Sequence, residues 1–164
     1  MPRTPVKELM LEAFQPYGFY ANMTPPGGPV IGKPPIEFYR DMLQLDLGGA
    51  TSASFSICRV EDRPLVVDVS ECHTACGEGI LPLDGDTLMH VGMACPGMKP
   101  PVKDIEVFRV PRGTMVTLRP GVWHHAPFTT NGKPVNVLIV LPERAYANDC
   151  NVVEIPKRQQ VRVG

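Results

Sequence analysis

Nineteen prolines and fifteen glycines punctuate the 164 residues of this chain. Proline removes a backbone donor and glycine costs conformational entropy inside a regular element, so this density disfavours long helices. What remains is a chain of many short strands joined by tight turns. Ser52–Val60 alternates small or polar with apolar residues, and Pro64–Ser70 is a β-branched run. Gly79–Leu83 leads into an Asp84-Gly85 turn, with Thr87–Ala94 expected as its hairpin partner. Ile105–Val110, Met115–Arg119, Ala126–Thr129 and Val135–Leu141 continue the pattern, with Asn131-Gly132 as a second hairpin signal. Eight or more such segments predict an all-β antiparallel barrel or jelly roll. At the start, Thr4-Pro5 reads as a cap for a short N-terminal helix carrying Leu9, Met10, Ala13 and Phe14. Thr24–Pro35 reads as a long loop, a candidate lid or interface arm, and the basic tail beyond Pro156 as a frayed end.

The length fits one domain over residues 1–164. A net charge of −1 and pI near 6.4 supply no field for nucleic acid or an anionic membrane. No apolar run reaches the roughly 20 residues of a membrane span, and the N-terminus lacks an apolar leader. Five cysteines, an odd and scattered set, point to a reducing cytoplasm.

Two stretches concentrate the chemistry. The first runs from Glu71-Cys72-His73-Thr74-Ala75-Cys76-Gly77-Glu78 to Gly85; the second runs from Gly113 to Pro120-Gly121-Val122-Trp123-His124-His125. His73, Glu78 and His124 offer two imidazoles and a carboxylate, a donor set for a divalent transition metal such as Ni, Zn, Mn or Fe. Glu71 lies two residues before His73 and shares its strand face, which makes it a fourth candidate ligand. His-x4-Glu-x6-Gly followed by Gly…Pro-Gly-x-x-His resembles the two-part signature of the cupin superfamily, whose members commonly have a histidine at the Glu71 position. That resemblance implies a β-barrel with a site inside.

Other residues carry two readings. On a regular strand only one of His124 and His125 enters the barrel, and the spacing from Pro120-Gly121 favours His124. Trp123 is a core or rim anchor or a pocket wall; His90 is a lining residue or a satisfied core histidine. Arg59 is a clamp for a substrate carboxylate or a solvated strand-end charge. Cys72 and Cys76 are free thiols, because Cys-x3-Cys without a second pair is a weak zinc signal.

Along nearly the whole chain the residues resemble the ureidoglycolate lyase family. The match runs from Glu12-Ala13-Phe14 and Tyr17-Gly18 through Ile57-x-Arg59 and Glu71-x-His73. It ends in Val122-Trp123-His124-His125 and Asn148-Asp149-Cys150-Asn151-x-x-Glu154. The family often has Gln where this chain has Glu78, and Lys where it has Asp84. The resemblance implies a dimeric enzyme that splits ureidoglycolate, a small carboxylic acid, into glyoxylate and urea during allantoin breakdown. Glu78 or His73 would then serve as base, and Arg59, Trp123 and His90 would contact substrate. A non-catalytic cupin-like sensor, or an isomerase or oxygenase of a related acid, is the alternative.

Overall fold

In the computed structural model, which describes residues 1–164, the N-terminal segment is extended rather than capped into a helix. Strand β1 (Arg3–Thr4) runs parallel to Arg162–Val163, and β2 (Val6–Glu8) runs parallel to Val107–Arg109. The Thr4 hydroxyl, expected to cap a helix, donates instead to the Ile105 carbonyl at 3.2 Å. Tertiary pairing of β-branched residues has overridden a local helix signal. One turn survives, α1 (Leu11–Phe14), which sets Phe14 edge-on against Phe108 with ring centroids 5.3 Å apart. Strand β3 (Gly18–Asn22) follows.

The stretch expected to be loop also holds pairing. Part of it, β4 (Val30–Lys33), forms a hairpin with β5 (Ile36–Tyr39) across Pro34-Pro35. This arm pairs with no other strand and leaves Ile31, Ile36 and Phe38 exposed.

From there strands dominate. In order they are β6 (Ala53–Val60), β7 (Val66–Val67), β8 (Val69–Cys72), β9 (Glu78–Pro82), β10 (Thr87–Val91), β11 (Glu106–Val110) and β12 (Thr114–Leu118). Next come β13 (Phe128–Thr129), β14 (Val135–Pro142), the one-turn α2 (Ala145–Asn148), β15 (Asn151–Glu154) and β16 (Val161–Val163). A five-stranded sheet has the order β3-β12-β9-β14-β6, and a four-stranded sheet the order β13-β10-β11-β2. Ile80, Val116, Leu118 and Val137 from the first pack against Met89, Val91, Phe108 and Val110 from the second. The other face of the four-stranded sheet carries Leu88, Val107 and Phe128 and is covered by Val67 and Val163. Every residue of β10 is buried because both of its faces are packed.

The two expected hairpins do not form. Strand β9 pairs with β12 and β14, whereas β10 pairs with β11 and β13. Asp84-Gly85 is therefore a corner where the chain leaves one sheet for the other. Side-chain acceptors set that corner. Asp84 takes hydrogen bonds from the main-chain N and Nδ2 of Asn136 at 2.8 and 2.6 Å, and Asp86 takes one from the Arg112 amide at 2.9 Å. Asn131-Gly132 likewise joins β13 to β14, which lie in different sheets.

The tail is no frayed end. Strand β16 lies between β1 and β7, with Val161 and Val163 buried. Burying two such side chains contributes on the order of 3–5 kcal/mol. A chain stopped after Pro156 should therefore melt about 10 °C lower by calorimetry; an unchanged melting temperature would contradict the packing.

Candidate active site

Three strand ends converge on one buried point. His73 follows β8, Glu78 opens β9, and His124 lies beside β8 through the pair Glu71–His124, whose amides and carbonyls exchange hydrogen bonds of 2.6 and 2.8 Å. The turn between His73 and Glu78 is tight because Gly77 passes against the Leu118 backbone, where any Cβ would collide with the carbonyl. Its amide donates to Asp46 O at 2.7 Å. Glu78 Oε2 then faces both rings: His73 Nε2 at 2.9 Å and His124 Nε2 at 2.8 Å. All three residues are buried.

The outer nitrogens decide the proton count. His73 Nδ1 bonds the Asp149 carbonyl, and His124 Nδ1 bonds the Val122 carbonyl at 2.9 Å. A carbonyl only accepts, so each Nδ1 carries a proton, and each Nε2 is left as the ligand or titrating atom. Burial disfavours the charged form of Glu78, but the two adjacent imidazoles win and hold its carboxyl down at about 2. Burial opposes charge on His73 and His124 too, yet Glu78 and the carbonyls raise both pKa values. In the protonated group two Nε2–H protons sit where one divalent cation would bring the same charge. Their ligand atoms lie within 4.8 Å of one another, and the Nδ1–carbonyl bonds are the outer contacts that orient metal-binding histidines. The donor set fits a divalent transition metal.

Beside this group opens a cavity of about 150 Å³, lined on its polar side by Glu71, His73, Glu78 and His125. Glu71 is close to the triad but outside the three-ligand group, and accepts a hydrogen bond from the Cys150 thiol at 3.2 Å. Three other expected contacts lie elsewhere. Arg59 projects into solvent, 3.8 Å from Glu61, because alternation along the edge strand β6 puts it on the outer face with Phe55 and Ile57. His90 is fully buried within β10 of the four-stranded sheet, its Nε2 3.1 Å from Ser70 Oγ, and burial drives its pKa down to about 3. Trp123 is buried as well, paired with Gly92, and does not line the cavity. Cys72 and Cys76 are buried free thiols whose pKa values burial pushes up to about 11.

His125, expected to face away, lines the cavity. The cause is a bulge. Between the pairs Leu88–Phe128 and Gly92–Trp123, β10 advances four residues while its partner advances five. The extra residue in the 124–127 stretch re-aims the side chains that follow His124. Arg63 braces the bulge by donating to the Ala126 and Pro127 carbonyls, its guanidinium 3.9 Å above the Phe128 ring. Sequence reasoning missed Arg63 behind the bulge and Tyr146 of the cavity wall, which nothing in their local patterns marks. It gave Cys150 no place in the site, although the Asn148-Asp149-Cys150 motif was in view.

A family model described as ureidoglycolate lyase matches residues 1–163. Among solved structures, a dTDP sugar isomerase from Desulfovibrio desulfuricans G20 superposes over 87% of this chain and 87% of that one, at 14% identity and a TM-score of 0.51. Oxalate decarboxylase from Bacillus subtilis, in a study of its Mn(II) centres, aligns with 63% of this chain at 15% identity and a TM-score of 0.45. The chain spans 24% of that protein's length. No curated protein matches by sequence. The architecture is that of an antiparallel cupin-like jelly roll.

The charge arrangement sets a pH window. Glu78, depressed from 4.5, contributes stability present above that value and lost as pH falls towards about 2. His73 and His124, raised from 6.5, contribute stability complete below 6.5 and lost as pH rises through their elevated values. The triad's own contribution is complete between pH 4.5 and 6.5. It is opposed there by His90, whose lowered pKa costs stability as pH falls below 6.5. In metal-free protein Glu78→Gln should flatten the acid and alkaline flanks that the triad creates. Identical melting profiles for the two proteins would refute the charged triad.

Proposed function

The chain belongs to the ureidoglycolate lyase family, and from that we propose that its cavity cleaves ureidoglycolate to glyoxylate and urea, with His125 as the proton-transfer group. The observation that carries this assignment is that the His125 ring lines the same small cavity as His73 and Glu78 while taking no part in the triad. Burial lowers the His125 pKa, so the imidazole enters the reaction neutral and able to accept a proton. It takes the proton of the C2 hydroxyl; the C–N bond breaks as the C2–O bond becomes a carbonyl. The imidazolium then returns that proton to the departing nitrogen, and urea leaves. Glu71, whose charge favours the protonated ring, stabilises the imidazolium in between. Glu78 is committed to the triad through the oxygen facing His73 and His124, which argues against its use as base.

With Arg59 outside, no arginine or lysine lines the cavity, so the substrate carboxylate has only the triad side to meet. His73, Glu78 and His124 would hold a divalent transition cation there. When bound, such a cation would act there as a Lewis acid on the oxygens of the substrate. Its presence is read by elemental analysis of purified protein; His124→Ala should lose the metal that the parent retains.

The functional unit we propose is a cytoplasmic homodimer. Five free thiols suit a reducing compartment, and Phe55, Ile57 and the apolar arm residues Ile36 and Phe38 leave apolar surface for a partner copy. A monomer mass in light scattering at micromolar concentration would remove the dimer.

Urea release from racemic ureidoglycolate, measured against the spontaneous rate, tests the activity itself. His125→Ala should lower kcat by at least about 10²-fold, as expected for loss of an acid–base group. Release no faster than background in the metal-supplemented parent would end the lyase assignment. An undiminished His125→Ala rate would move the proton transfer to Glu71.

A further inference from the structure

The Asn148-Asp149-Cys150 segment is distinctive in sequence, yet the reaction above gives Asp149 no part. In the structure nearly every polar atom of Asp149 is engaged. Its amide closes α2 by donating to Ala145 O at 2.8 Å, and its carbonyl accepts from His73 Nδ1. Its carboxylate collects the residues that follow His73. Oδ1 accepts from the Thr74 amide and hydroxyl, both at 2.8 Å; Oδ2 accepts from the Ala75 amide at 2.8 Å and faces the Cys76 thiol at 3.7 Å.

We propose that Asp149 is the positioning residue for His73, gripping its ring through the main chain and the turn that follows it through the side chain. The proposal rests on the site reading above, since it takes His73 as a working group. One residue thereby fixes both the tautomer of the ring and the height at which Nε2 meets Glu78. The next residue extends the strap: Cys150 donates to Glu71, and Tyr146, one helical turn earlier, lines the same cavity. The last turn of this protein before β15 thus holds two separate polar groups of the site in register.

The chemistry demands a carboxylate. Each of the four partners of Oδ1 and Oδ2 is a donor, so an ionised acid satisfies all of them. In Asp149→Asn the amide NH₂ must oppose at least one donor, although the shape is unchanged. Asp149→Glu keeps the charge but sets it one methylene too far out. Thr74→Val removes a single hydroxyl donor and keeps both main-chain amides.

The test is to make Asp149→Asn, Asp149→Glu and Thr74→Val and read three quantities. The first is the His73 Nδ1 proton in NMR spectra of protein carrying ¹⁵N-histidine. In the parent it should be downfield and slow to exchange; in Asp149→Asn it should broaden or vanish. The second is affinity for Zn²⁺ by calorimetry, expected to fall by about 10–100-fold in Asp149→Asn and Asp149→Glu. The third is urea release, where kcat should fall by about 10-fold or more with KM within two-fold, while Thr74→Val stays close to the parent. An unaltered Nδ1 proton and kcat in Asp149→Asn would overturn the proposal, as would losses that follow melting temperature alone across the three variants. If the parent itself releases no urea, the lyase reading fails, and the NMR signal still judges Asp149.

Discussion

One buried carboxylate organises this molecule. Glu78 lies almost wholly out of water, where an isolated charge costs many kcal/mol. It is tolerable only because two imidazoles meet one of its oxygens at hydrogen-bond distance, and because each ring is held from behind by a carbonyl. Those carbonyls belong to Asp149 and Val122, far apart in sequence and brought together by sheet pairing. The strand ends that deliver Glu78, His73 and His124 must therefore register correctly before the charge is safe. The corner at Asp84, the close pass of Gly77 against Leu118 and the strap before β15 all serve that registration.

How much of this could be read from the residues depends on whether regular alternation holds. Where strands are regular, spacing sufficed to group His73, Glu78 and His124, since the turn after β8 and the strand after Gly121 both aim them inward. Where an extra residue enters, spacing misleads, and His125 points where a regular strand would forbid. The bulge depends on Arg63, which sits more than 60 positions away and has no mark of its own. Arg59 failed for a different reason. A cation at the end of an alternating strand can face either way until the neighbours of that strand are known, and β6 turns out to be an edge.

The turn signals show the same limit from another side. Asp84-Gly85 and Asn131-Gly132 correctly mark where strands end. They do not say whether the next strand returns to the same sheet. Asp84 is spent on Asn136 and Asp86 on Arg112 and Arg109, contacts that anchor a crossing between layers and that no dipeptide preference encodes. The Thr4-Pro5 cap signal was overruled likewise, by a parallel partner about a hundred residues downstream.

That partner, together with the pairing of β1 with β16, has a temporal consequence. The layer covering the outer face of β10 needs residues 3–4, 66–67 and 161–163 at once. While the chain is being made, the face bearing Leu88, Val107 and Phe128 stays uncovered until residues 161–163 have emerged from the ribosome. Nascent protein therefore carries an apolar sheet face from the emergence of Phe128 until residues 161–163 follow, a stretch during which a chaperone has something to hold. A ribosome that pauses late in this message prolongs the exposure, whereas a pause within the first sixty codons leaves that face unbuilt and harmless.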